Sequence, residues 1–371
     1  MALASSPSVP LARYTTLGLG GPAARLAEAG TAQDVIGAVT AADKAREPLL
    51  VLGGGSNLVV ADEGFPGTAV KVATAGVRCV RDRSSGSGER VMVTAAAGES
   101  WDGLVSWAVA EKLAGIECLA GIPGLVGATP IQNVGAYGQE VAQVIDAVGA
   151  LDRATGEVLT MRGPALGFGY RTSVFKSMPW PPAGPAGPSG RYVVLDVTFA
   201  LARDPMSVPV RYAELARRLG VEGGDRAPLG DVARAVLGLR RGKGMVLDPA
   251  DPDTRSAGSF FTNPALGAAE FAALQRQAGR RGSGAAVPCF PAPGGLVKVP
   301  AAWLIEQAGF GKGYPGSGAA RISSKHTLAL TNRGSATTAE LVALARQIAA
   351  GVRAAFGIEL VSEPVLVGVS L

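Results

Sequence analysis

Residues 31–60 read TAQDVIGAVTAADKAREPLLVLGGGSNLVV, and two periodicities meet inside them. Val35, Ile36, Val39 and Ala42 recur at three- and four-residue spacing behind Thr31, whose hydroxyl suits a helix N-cap, so a helix is predicted directly after Thr31. Pro48 closes that pattern and introduces the apolar run LLVL, short enough for a buried strand. A helix feeding a buried strand is the signature of an α/β arrangement. The strand empties into Gly53, Gly54, Gly55, Ser56 and Asn57, then into the apolar run Leu58 to Val60, with a turn predicted at 64–67. GGGSN therefore lies between strands rather than at the start of a helix.

Working outward, Ser100 caps a predicted helix whose inner face is Trp101, Leu104, Val105, Ala108 and Val109, ending near Gly115. Thr337 and Glu340 form a capping box for a helix with Leu341, Leu344, Ile348, Val352 and Phe356 on its buried face. A soft stretch at 220–230 precedes another helical pattern that ends near Leu239. PWPPAGPAGPSG at 179–190 is too rich in Pro and Gly for regular structure and reads as a surface insertion.

The chain has 371 residues, enough for two or three packed units. Apolar residues make up 47% and charged ones 18%, an ordinary globular balance. A net charge of +5 favours anionic small molecules weakly. The basic residues are scattered, with no Lys/Arg block and no aromatic-basic interleaving, which argues against a nucleic-acid partner. Cys79, Cys118 and Cys289 are far apart, which suits a reducing compartment and neither a disulfide framework nor a zinc site. His326 is the only histidine, so no metal centre is expected. MALASSPSVPLARYT at the start lacks the pattern of a signal peptide, and no stretch approaches a membrane span, so a cytoplasmic location without a membrane partner is expected.

Two glycine-rich segments carry candidate chemistry. GIPGLVGATPIQNVGAYG, residues 121–138, holds five glycines and two prolines among apolar residues. Such a backbone either closes main-chain N–H groups around a pyrophosphate, with Thr129, Gln132 and Asn133 as added neutral donors, or forms a tightly turned loop between strands. GGGSN lacks the Lys-Ser/Thr of a P-loop and the spaced glycines of a Rossmann turn. Alone it reads best as a β-turn with Asn57 in left-handed geometry.

Together the segments resemble the UDP-N-acetylenolpyruvoylglucosamine reductase (MurB) family, by order and spacing across nearly the whole chain. Tyr14-Thr15-Thr16-Leu17-Gly18 resembles its N-terminal element, LGGGSNL its flavin loop, and GIPGLVGATPIQNVGAYGQE its signature segment. FGYRTSVFK (168–176), SAGSFFTNP (256–264) and VPAAWLIEQAGFGKG (299–313) follow in family order. VRYAEL around Tyr212 is similar to the Tyr-bearing loop of the type I branch.

The resemblance implies an α+β protein. A two-subdomain FAD-binding module of the vanillyl-alcohol-oxidase/PCMH type would be followed by a C-terminal α/β substrate-binding domain. The implied boundaries are 1–72 and 73–244 for the FAD subdomains and 245–357 for the substrate domain, with 358–371 packing back on the first. The implied activity is NADPH-dependent, FAD-mediated reduction of enolpyruvyl-UDP-N-acetylglucosamine to UDP-N-acetylmuramate in peptidoglycan synthesis. FAD would be non-covalent, NADPH and the UDP-sugar would use the same cleft in turn, and the enzyme would be a monomer. By the same resemblance, Gly53, Gly55, Ser56, Asn57, Pro123, Gly127, Thr129, Gln132, Gly135, Tyr137, Gly138, Tyr170 and Arg240 hold the cofactor, while Tyr212, Lys243 and Asn263 hold the substrate.

The implied catalytic residues are Arg171, Ser259 and Glu363. Hydride addition to the enolpyruvyl double bond leaves an enolate conjugated with a carboxylate, which calls for a planar cationic fork such as Arg171. Ser259 would protonate the carbon bearing the carboxylate. A weak acid can do so only beside a strongly basic enolate and within hydrogen-bond reach. Glu363 would act protonated or through a water, because an ionised carboxylate repels an enolate.

Two departures from the family pattern stand out: Pro364 after Glu363, and the looser segment GYPGSGAARISSKH at 313–326. His326 reads as structural rather than catalytic. An oxygen-using oxidase on the same flavin module would lack AGSFF and carry its flavin on His or Cys. A UDP-sugar sensor without turnover would not need Arg171, Ser259 and Glu363 together.

Overall fold

The Thr31 hydroxyl accepts a hydrogen bond from the Asp34 amide, and the Asp34 carboxylate accepts from the Thr31 amide. That capping box starts the helix Ala32–Lys44, which buries Val35, Val39 and Ala42 and leads into the strand Leu49–Leu52. The computed structural model describes residues 5–82, 89–181, 187–281 and 286–371. They group into two compact units. The first is Met1–Val9, Ala23–Gly55 and Phe65–Val246, and the second is Pro10–Pro22, Ser56–Gly64 and Leu247–Leu371. This grouping cuts across a boundary at 72, because Leu58–Val60 pairs in parallel with Val365–Val367.

In the first unit, Leu49–Leu52 and Pro22–Ala29 both lie parallel to Phe65–Val72. A second sheet is antiparallel, in the order Glu157–Arg162, Ile145–Asp152, Tyr192–Arg203, Arg90–Ala96, Val77–Asp82. The helix Trp101–Ala110 packs on it through Trp101, which lies 5.8 Å from Phe199 and donates its indole N–H to Leu119 O at 3.2 Å. Both rings are fully buried, and removing either to Ala would cost about 3–5 kcal/mol. The result is an α+β protein in which parallel and antiparallel sheets coexist.

In the second unit, Ser256–Ser259 and Ala320–Ile322 flank Ala329–Asn332 antiparallel. The helices Ala268–Arg280, Ala301–Gln307 and Thr338–Phe356 share a core with Phe260, Phe261, Leu304 and Ile322. The last helix has the predicted Thr337–Glu340 capping box and ends on left-handed Gly357.

Three local expectations need correction. The helix after Ser100 stops at Ala110, because Lys112 turns into positive φ and Leu113–Ala114 pairs with the strand Tyr192–Arg203. The turn expected at 64–67 lies earlier: Gly64 N–H donates to Ala61 O at 3.0 Å, and Phe65 already begins a strand. VRYAEL is not only a loop, because the helix Ala213–Leu219 starts inside it. Of the insertion at 179–190, residues 182–186 lie outside the described residues. Its downstream end is tied down by Ser189, whose hydroxyl accepts from Val51 N–H at 2.7 Å. No helix among the described residues is long and apolar enough to cross a membrane, and no cluster of His, Cys, Asp and Glu among them could hold a metal.

Candidate active site

The first unit brings its two glycine-rich segments into backbone contact. A Cβ on Gly54 would lie 2.7 Å from the Cα of Gly124, so the loops touch only because Gly54 lacks a side chain. Left-handed geometry in GGGSN falls on Gly55, at φ 63°, and not on Asn57. Lys71, on the strand Phe65–Val72, donates to Gly53 O at 2.8 Å and holds the loop from below. Burial lowers the Lys71 pKa, partly countered by Glu28. In the facing segment, Gly121 N–H donates to Asp102 at 2.6 Å, while Val126 and Gly127 N–H groups donate to Glu99 O and Ala97 O at 2.9 Å each. Pro123 lies between these anchored points.

The polar side chains of this segment bond inward. The Thr129 hydroxyl donates to Val126 O at 2.8 Å, and Gln132 accepts from Lys176 at 2.9 Å. Asn133, almost wholly buried at φ 44°, donates to Glu140 and to Gly169 O at 3.0 and 2.9 Å and accepts from Ala142 N–H at 3.1 Å. Asn133 is thus the internal brace of the loop, and the reading of its amide as a donor to an anion is corrected. Arg171 donates to Gly135 O at 2.9 Å and to Asn133 O at 3.4 Å, and its guanidinium lies 5.4 Å from the Tyr170 ring centre. Its backbone is held at φ 54°, a conformation that costs a non-glycine residue about 1–3 kcal/mol and gathers at functional sites.

A third group assembles around Tyr137, itself at φ 50°. Its ring meets Tyr212 edge-on at 5.3 Å, next to Gly138, and Lys243 lies 5.6 Å from its centre. Burial raises the Tyr137 pKa, with Lys243 and Arg240 opposing. Arg240 is buried and donates to Met245 O at 2.8 Å, while its Nε has no hydrogen-bond partner among the described residues. Burial lowers the Arg240 pKa, countered by Tyr137 and Asp102. A buried guanidinium nitrogen left over, 3.6 Å from where a side chain on Gly121 would begin, is a donor that fits the phosphate end of a dinucleotide.

The second unit gathers Asn57, Ser259 and Glu363. Gly258, at φ 73°, interrupts the register between Ser256 and Ser259, so the strand bulges and re-aims Ser259. The half-buried Ser259 hydroxyl makes no hydrogen bond among the described residues. Glu363 N–H donates to Phe260 O at 2.9 Å, and Val365 N–H donates to Asn57 O at 2.9 Å. The Asn57 amide reaches Glu363 O at 3.4 Å. Thr16, in the N-terminal element, donates to Ser256 O at 2.6 Å and so anchors the same strand. Asn263 accepts from Ala301 N–H at 2.9 Å, at the start of the helix Ala301–Gln307. His326 donates its backbone N–H to Ser323 at 3.2 Å, inside the turn of GYPGSGAARISSKH.

Among residues that sequence reading passed over, Lys71 and Asp102 bond to Gly53 and Gly121 from outside the motifs, 18 and 19 positions away, at a distance that no local pattern reports. Glu140 and Glu214 stand inside quoted motifs, where no role was read for them.

Residues 23–162 match the family described as an FAD binding domain, and residues 249–367 match the UDP-N-acetylenolpyruvoylglucosamine reductase C-terminal domain. The chain is 55% identical over 365 residues to the UDP-N-acetylenolpyruvoylglucosamine reductase of Thermobifida fusca, covering 98% of each. It is 56% identical over 364 residues to that of Streptomyces coelicolor, covering 98% of this chain and 90% of the relative. The crystal structure of the corresponding reductase from Thermus caldophilus aligns with a TM-score of 0.60 at 25% identity, over 98% of this chain and 99% of the other.

Proposed function

Since the chain belongs to the UDP-N-acetylenolpyruvoylglucosamine reductase family of FAD-binding oxidoreductases, we propose that it takes electrons from NADPH and reduces the enolpyruvyl double bond of a UDP-sugar, forming UDP-N-acetylmuramate for peptidoglycan. When bound, FAD supplies the hydride chemistry. The residues that would hold it are the main chain at 53–57 and 121–138, Tyr170 and Arg240. Loops pre-formed by their own internal bonds need little further ordering to take a cofactor.

Arg171 supports the substrate carboxylate as negative charge develops. Its guanidinium is already oriented by two carbonyls and the Tyr170 ring, so little reorganisation remains. Ser259 gives its hydroxyl proton to the carbon bearing the carboxylate. The observation that carries this assignment is the bulge at Gly258, which sets a serine hydroxyl free of internal partners one residue from the main chain that binds Glu363. Glu363 assists as a neutral acid or through a water. Tyr212, Lys243 and Asn263 hold the sugar nucleotide, with the tyrosine excluding water.

The purified protein should be yellow, release FAD on acid precipitation, and oxidise NADPH only when enolpyruvyl-UDP-N-acetylglucosamine is added. A colourless protein, or NADPH oxidation indifferent to the UDP-sugar, would sink the reading.

A further inference from the structure

Lys243 does not wait as a bare cation. Its ammonium nitrogen lies 2.6 Å from the Glu214 carboxylate, an ion pair in which both side chains are about one-third exposed, at 31% and 34%. Glu214 stands in the first turn of the helix Ala213–Leu219, two residues after Tyr212, and Lys243 follows the helix Leu229–Gly242. The pair borders the edge-on rings of Tyr137 and Tyr212, and the same ammonium lies over the Tyr137 ring. The carboxylate thus takes up a donor of Lys243 that an anionic ligand could otherwise use. Partial exposure leaves the pair open to water and ions, and such pairs are weak enough to exchange partners.

We propose that Glu214 is a built-in counter-ion of Lys243, displaced when the diphosphate of the sugar nucleotide binds, and that this competition sets the affinity for the diphosphate. The inference rests on the reading of Lys243 as a diphosphate contact. Displacement frees a carboxylate on the element that begins at Tyr212, so ligand entry and the position of that tyrosine are linked. A glutamate here also disfavours anions too weak to displace it, which makes it a selectivity device as well as a placeholder.

The test is calorimetric binding of UDP, and of uridine as the phosphate-free control, to the FAD-loaded protein. The proteins are the parent, Glu214→Gln, Lys243→Met and the double variant, with flavin absorbance confirming that each is folded. Glu214→Gln should tighten UDP binding about fivefold, leave uridine unchanged, and lose its effect when Lys243 is already Met. If Lys243→Met weakens UDP while Glu214→Gln leaves it unchanged or weaker, the counter-ion role is overturned and the Lys243 reading stands. Tightening that persists in the double variant reflects net charge alone and also overturns it. If Lys243→Met leaves UDP affinity unchanged, the reading of Lys243 fails and takes the proposal with it.

Discussion

The segment at 121–138 and the corner around Ser259 are built on opposite plans. In the first, the Thr129 hydroxyl, the Gln132 carbonyl and the Asn133 amide bond within the protein, as do the main-chain N–H groups of Gly121, Val126, Gly127 and Thr129, so the loop is pre-set by its own bonds. In the second, the main chain is bonded across Phe260 to Glu363 and Asn57 to Val365, and a side-chain hydroxyl is left over. The difference follows from the tasks proposed for them. A cofactor that stays bound is held best by a rigid backbone cradle. A proton must come from a group that can give one up, and a peptide N–H cannot.

That contrast can be broken by substitutions on each side. Ser259→Ala should leave the flavin spectrum and its reduction by NADPH intact while slowing reoxidation by substrate about 10³-fold, within the range for loss of a positioned proton donor. Stopped-flow measurement of the two half-reactions separates them, and equal slowing of both would remove the assigned role. Asn133→Leu strips partners from Glu140, Gly169 O and Ala142 N–H together, so a stability loss of about 2–4 kcal/mol is expected. It should be visible in urea denaturation and accompanied by flavin loss, and a stable, fully flavinated variant would show that the brace is dispensable. Gly127→Ala places its methyl 2.5 Å from the Ala97 Cβ, and overpacking of this kind costs about 1–3 kcal/mol. Thermal melts with and without added FAD measure it; a cost that vanishes in excess FAD would mean the loop is shaped by its ligand rather than by Ala97.

What could be read along the chain was local. The helix start at Thr31, the Thr337–Glu340 box, the helix faces behind them and the strand Leu49–Leu52 depend on residues three or four apart, where periodicity and capping chemistry act. Helix ends were less legible. The end at Ala110 answers to a strand partner at Ala202 and Arg203, which no pattern around Gly115 contains. The motifs were legible as strings, and the resemblance attached roles to them, but their supports were not. Thr16 reaches Ser256 across 240 positions, and Asn57 reaches Glu363 across 306.

By itself the sequence determined the helices behind Thr31, Ser100 and Thr337, the strand after Pro48 and the two glycine loops, and, through motif order, which family the protein joins. Only the tertiary structure decided that Asn133 braces its loop, that Gly55 rather than Asn57 takes the left-handed turn, and that Glu214 neutralises Lys243. The physical reason is one of range. Capping and periodicity are written in neighbouring residues, whereas a hydrogen-bond partner or a close approach of two backbones exists only once distant segments have been packed together.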